Sequence, residues 1–218
     1  MIDFIHSELA YFLLCITTLF TLINPLGISP LLLVMTERFS PEQKRAIAWK
    51  GSLTAGMTLI VFAFLGSLIF NFFGITIEAF QIMGGIIFFR SGLRMLEAKV
   101  GRSRTTQKEQ EESEDHDDIA ISPIGIPLIA GPGAITASML LSSQTPKIYS
   151  YGTLIFAIIL VLSTVYIILR NGDLIIKGMG YTGMRIIQRI MGLILMVIAV
   201  QFEINGISAV IKQIYQSL

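Results

Sequence analysis

The sequence predicts an all-α membrane protein: six transmembrane helices arranged as two inverted three-helix repeats, the first helix of each half broken. Three observations predict it. Six apolar runs are each long enough to cross a bilayer, the basic residues fall on alternate connections between them, and Pro/Gly-rich interruptions recur in the first and fourth runs at an offset near 107 residues.

Composition fixes the class. Of 218 residues, 53% are hydrophobic and 14% charged, against about 25% charged in an average soluble domain. The mean hydropathy of +0.72 agrees, and a soluble core could not absorb that much apolar surface. The net charge of +1 says little, because acidic and basic residues are segregated along the chain. The single Cys15 lies in an apolar run, so no intrachain disulfide or Cys-based metal site is expected. The residues before the first run, with Asp3, His6 and Glu8 but no Lys or Arg, lack the basic segment of a signal peptide, so that run reads as a retained helix.

The runs cover residues 9–35, 46–73, 76–96, 119–141, 149–169 and 186–211, each meeting the need for about 20 residues. Three fall in an N-terminal repeat (1–98) and three in a C-terminal repeat (119–218). The hydrophilic stretch 99–118 between them begins basic (Arg102, Arg104, Lys108) and turns acidic (Glu109 through Asp118), the pattern of a solvated, mobile linker. Its acids and His116 lack the spacing of metal ligands on a rigid element, so no metal is expected.

Orientation follows from the cations. Arg38, Lys44, Arg45 and Lys50 follow span one, Arg90, Arg94, Lys99, Arg102, Arg104 and Lys108 sit at or after the end of span three, and Arg170, Lys177, Arg185 and Arg189 join spans five and six. With six spans these three places share one side, which the positive-inside rule makes cytoplasmic. The other side holds only Lys147 and Lys212, so both termini are expected outside the cytoplasm, in a multi-pass protein of the cytoplasmic (inner) membrane.

At the offset near 107, Asn24-Pro25-Leu26-Gly27-Ile28-Ser29 falls on Gly131-Pro132-Gly133-Ala134-Ile135-Thr136, and Ile82-Met83-Gly84 falls on Ile190-Met191-Gly192. Three spans per half is an odd number, so a duplicated half must enter the membrane from the other face. Pro25 and Pro30 remove backbone donors in the first span; Pro123, Pro127 and Pro132 do so in the fourth, with Gly27, Gly131 and Gly133 adding freedom. Backbone freed in mid-membrane persists only where protein, water or solute supplies partners. Helices restarting near residues 27–30 and 133–136 would present positive ends suited to a carboxylate. The candidate substrate-binding residues are therefore Asn24, Pro25, Gly27, Ser29, Gly131, Pro132, Gly133 and Thr136.

No Asp, Glu, Lys or His lies in the middle of any span, so no buried carboxylate relay is visible. Arg90 reads as snorkelling to the interface. Thr17, Thr18, Thr21 and Ser138 either line the pathway or return hydrogen bonds to their own helices. Gln81 and Gln201 are open in the same way. An intramembrane enzyme is disfavoured because the spans hold no nucleophile and base pair.

At Asn24-Pro25-Leu26-Gly27 with Pro30, and at Pro127-Leu128-Ile129-Ala130-Gly131-Pro132-Gly133-Ala134-Ile135, the chain resembles the MarC/SnatA family over essentially its full length. The resemblance implies a six-helix transporter of small neutral amino acids such as glycine and alanine in the cytoplasmic membrane, and the repeat itself suggests alternating access by rocking of the two halves. The partners expected are a small neutral amino acid and the lipid bilayer, with a coupling proton or sodium ion and the oligomeric state left open. No cofactor and no nucleic acid are expected. The alternative is a channel or exporter for another small polar solute.

Overall fold

The computed structural model describes residues 2–97, 116–143 and 148–217, and they are all-helical, with no strand among them. Most of the linker 99–118 therefore lies outside the described residues. The elements are α1 (Ile2–Ile23), α2 (Pro25–Met35), α3 (Pro41–Phe73), α4 (Ile77–Leu96), α5 (His116–Ile119), a π-helical segment (Ala120–Ile129), α6 (Pro132–Ser143), α7 (Ile148–Arg170) and α8 (Gly172–Ser217).

Local sequence explains the boundaries. Ser40 starts α3 with a capping box: its hydroxyl accepts from the Gln43 amide at 3.3 Å while Gln43 Oε1 accepts from the Ser40 amide at 2.9 Å. Pro41 occupies the first turn, where its missing donor costs nothing. Gly74 ends α3 in the left-handed region (φ 64°). Thr76 then caps α4 through the Ala79 amide at 3.2 Å.

The core runs through the middle of the bundle, where Leu19, Leu59, Phe88, Ile124, Leu140, Leu154 and Leu195 are fully buried. The outer surface is apolar as well: Phe72, Val197, Leu68 and Phe156 all stand exposed, as they would against lipid. By length and composition four helices among the described residues can cross a membrane, within Ser7–Ser29, Pro41–Gly66, Tyr151–Arg170 and Arg185–Gln216; a pair bent by 62°, Ala120–Ile129 with Pro132–Ser143, makes up to five. The remaining long helix, α4, has 20 residues but carries Glu78, Arg90 and Arg94.

The most extensive pair is α4 with α8. Gly92 meets Gly192, Gly85 meets Ala199, and Gly206 meets Glu78, so the two helices run antiparallel. Elsewhere α3 packs on the π-helical segment, on α6 and on α7, and α7 packs on α1 and α2 as well. α3 thus lies on elements that follow the linker, and α7 on the two helices that open the described chain.

One feature differs from expectation. Residues 170–185 read as a connection in the sequence, yet α8 begins at Gly172 and continues to Ser217 through a kink at Gly180 (φ 65°, ψ 167°). The first turn of α8 closes immediately, with Asn171 accepting at its carbonyl from Leu174 and Ile175.

Candidate functional site: two helix breaks in contact

The first break is a single residue. Asn24 has φ 49°, the left-handed region that Asn tolerates better than most side chains, and Pro25 restarts the helix at once. The expected restart at residues 27–30 is therefore earlier, at Pro25. Asn24 remains the hinge of the hydrogen bonding: its carbonyl accepts from Gly27 at 2.9 Å and Ile28 at 3.1 Å, and its Oδ1 accepts from the Gly27 amide at 3.3 Å. The side chain folds over Gly27 so closely that a Cβ there would collide with the Asn24 amide group. A side chain at residue 27 would have to displace that of Asn24.

The second break is longer. Ser122 and Ile126, each preceding a proline, have extended backbone (φ −133° at both) inside the π-helical segment, as steric crowding by the following ring demands. Ala130 donates to the Gly125 carbonyl at 2.9 Å, and α6 starts at Pro132, again earlier than residues 133–136. Such irregular backbone must be covered by protein. Here α3 covers it: a Cβ on Gly51 would lie 3.2 Å from the Ala120 carbonyl oxygen, and one on Gly125 would lie 2.9 Å from Thr54 Cβ. Those two glycines let the backbones close on each other.

The breaks meet. A Cβ on Gly133 would come within 3.1 Å of Leu22 Cδ2, and Leu22 is two residues before Asn24. Gly131 stays local, beside the Pro127 carbonyl oxygen. Pro132 is exposed and Pro25 buried. Two residues sit otherwise than their free hydroxyls suggested. Ser29 is fully buried and donates to the Pro25 carbonyl at 2.9 Å, and the Thr136 methyl faces α4 near Gly84.

Of the open threonines, Thr17 and Thr21 return hydrogen bonds to the carbonyls of Leu13 and Thr17, each at 2.6 Å. Thr18 does not. It is fully buried, its hydroxyl has no partner among the described residues, and it sits one turn before Leu22 on the same helical face. Ser138 bridges instead, donating to the Leu59 carbonyl of α3 at 2.6 Å. Sequence marked Thr18 only as one of three threonines; the orphaned hydroxyl emerges once packing is known. Among the described residues no group of His, Cys, Asp and Glu could hold a metal ion.

An open cleft of about 430 Å³ runs between α1 and α8, lined by Leu13, Leu14, Thr17, Leu193, Ile194, Val197 and Ile198. None of the eight candidate residues lines it.

Comparison with known proteins matches the family described as "MarC family integral membrane protein" over residues 9–211. Among curated relatives, a UPF0056 membrane protein of Pyrococcus abyssi is 40% identical over 190 residues, covering 87% of this chain and 90% of the relative. One of Methanocaldococcus jannaschii is 38% identical, covering 92% and 97%. A third, of Escherichia coli, is 31% identical, covering 88% and 89%. No solved structure matches.

Proposed function

The chain belongs to the MarC family of integral membrane proteins, and from that premise we propose that it is a secondary transporter of small neutral amino acids working by alternating access. The single observation that carries the reading is the contact of the two breaks at Leu22 and Gly133. Interrupted helices brought together across the membrane are how such carriers hold a small solute.

Six spans are read by counting α4. Its outward side chains Met83, Ile86, Phe89 and Leu93 are apolar, while Arg90 and Arg94 sit toward the end expected at the cytoplasmic interface. The inverted repeat is supported by boundaries at a nearly constant offset. Pro25 and Pro132 restart the broken helices, Pro41 and Ile148 open the second spans, and Gly74 and Gly180 share φ near 65°. Equivalent third helices, α4 and α8, pack antiparallel, as a two-fold axis in the membrane plane requires.

We infer moving bodies other than the two halves. Rocking of the halves needs halves that are compact, yet each second span packs on the other half's broken span. The bodies we infer are α3 with the π-helical segment and α6, and α7 with α1 and α2. The antiparallel α4 and α8 pair joins them.

Within the site the two helix ends are unequal. The Asn24 side chain caps α2, whereas Gly131 offers α6 no side-chain cap, leaving the amides near Gly133 for a substrate carboxylate. In this reading the unpartnered Thr18 hydroxyl accepts from the substrate's ammonium group. Counterflow of labelled alanine in proteoliposomes tests the reading: saturable exchange supports a carrier, and flux that rises linearly with concentration supports a pore instead.

A further inference from the structure

A second cleft, of about 190 Å³, lies between α3 and α7, away from the breaks. One wall carries Trp49, Ser52, Leu53, Gly56, Met57 and Ile60; the other carries Ile158, Ile159, Leu162, Ser163 and Tyr166. Its chemistry is graded along its length. The deep end is aliphatic. Ser52 and Ser163 stand further out, and the Trp49 and Tyr166 rings meet edge to face at 5.4 Å. Ser52 is 5% exposed and its hydroxyl has no partner among the described residues, a cost that a bound acceptor would remove.

One turn beyond the aromatic pair on each wall come Arg45 and Arg170, four residues before Trp49 and four after Tyr166. Both are exposed. The antiparallel course of the walls brings them to the same mouth, on the side that the distribution of basic residues makes cytoplasmic.

We propose that this cleft is a binding site for one anionic phospholipid of the inner leaflet, its phosphate between Arg45 and Arg170 and one acyl chain between α3 and α7. The order of groups matches that of the lipid: guanidinium for phosphate, hydroxyl at Ser52 for the glycerol ester, aliphatic side chains for the chain. Trp49 and Tyr166 sit at headgroup depth, where amphipathic rings concentrate. A second copy of the protein fits less well, because two like-charged arginines at the mouth would repel their own counterparts. α3 and α7 also belong to the two bodies inferred to move, so a lipid wedged between them would bias that motion.

The test is native mass spectrometry of the full chain in mild detergent, titrated with phosphatidylglycerol or with phosphatidylcholine of the same acyl chains. Melting temperature is followed in parallel. One retained phosphatidylglycerol, preferred on the order of tenfold over phosphatidylcholine, is expected. Arg45→Gln with Arg170→Gln should abolish the preference, and Met57→Trp, which fills the cleft without touching the arginines, should lower binding of both lipids. The proposal is overturned by equal binding of the two lipids, by folded variants that bind as the wild type does, or by displacement of phosphatidylglycerol by inorganic phosphate alone. Cross-linking of cysteines at Leu53 and Ile159 between copies in lipid nanodiscs would overturn it too, by making the cleft a protein interface.

Discussion

Gly92 and Gly192 face each other at the crossing of α4 and α8, where a Cβ on either would lie 2.7 Å from the other's carbonyl oxygen. With Gly85 against Ala199 and Gly206 against Glu78, the contact gives a long seam of nearly touching backbones. Lipid tails are as apolar as leucine, so such a seam is held by close packing rather than by escape from water.

Gly92→Leu and Gly192→Leu should each destabilise the protein, by about 1 to 3 kcal/mol or more from overpacking. The obstacle is backbone, which cannot swing aside. Thermal melting in detergent measures it. Gly152→Ala, where an added Cβ meets nothing within 4 Å, is the control and should leave the melting temperature level or slightly raised.

Asn24 supplies both a left-handed backbone and a cap. Asn24→Gly keeps the first and loses the second, at a cost of a few tenths of a kcal/mol; Asn24→Ala loses both, at a cost of roughly 1 to 2 kcal/mol. The order Asn, Gly, Ala in melting temperature checks the assignment. An alanine variant as stable as the glycine one would mean that the backbone at residue 24 is not strained.

Thr18→Val separates a binding hydroxyl from a packing one. The hydroxyl is buried without a partner, so its removal should leave stability unchanged or raised. If it meets the substrate, apparent affinity should fall by about 0.5 to 1.5 kcal/mol. Ser29→Ala, which removes a bond internal to α2, should cost stability and leave affinity alone.

The inverted repeat we propose has a topological consequence. Asn71 and Asp173, both exposed, should label from opposite sides of the membrane when replaced by cysteine: Asn71 from outside, Asp173 only after permeabilisation. Labelling of both from outside would contradict the arrangement.

The helical class, the membrane surface and the places of both breaks were legible in the sequence, because apolar runs and Pro or Gly act locally. The restarts at Pro25 and Pro132 were missed by one or two residues. Proline in a first helical turn loses nothing, so the same residue that suggests unwinding also opens the next helix. The Leu22 and Gly133 contact, the orphaned Thr18 and the interleaving of the halves were not legible. They depend on which faces of distant helices meet, and apolar periodicity does not specify that when both lipid and core are apolar. The long start of α8 was missed because Lys177, Arg185 and Arg189 read as a loop, although charged side chains at an interface are compatible with a helix.

The most direct measurement is counterflow of labelled alanine in proteoliposomes holding equal amounts of wild-type protein, Gly27→Leu or Gly133→Leu. A leucine at residue 27 displaces the Asn24 side chain, and one at residue 133 drives into Leu22. Neither change adds to the cost of inserting a span in lipid. The account predicts saturable exchange by the wild type and loss of at least about tenfold in each variant at matched incorporation. Normal exchange by both variants, or no exchange by the wild type, would contradict it.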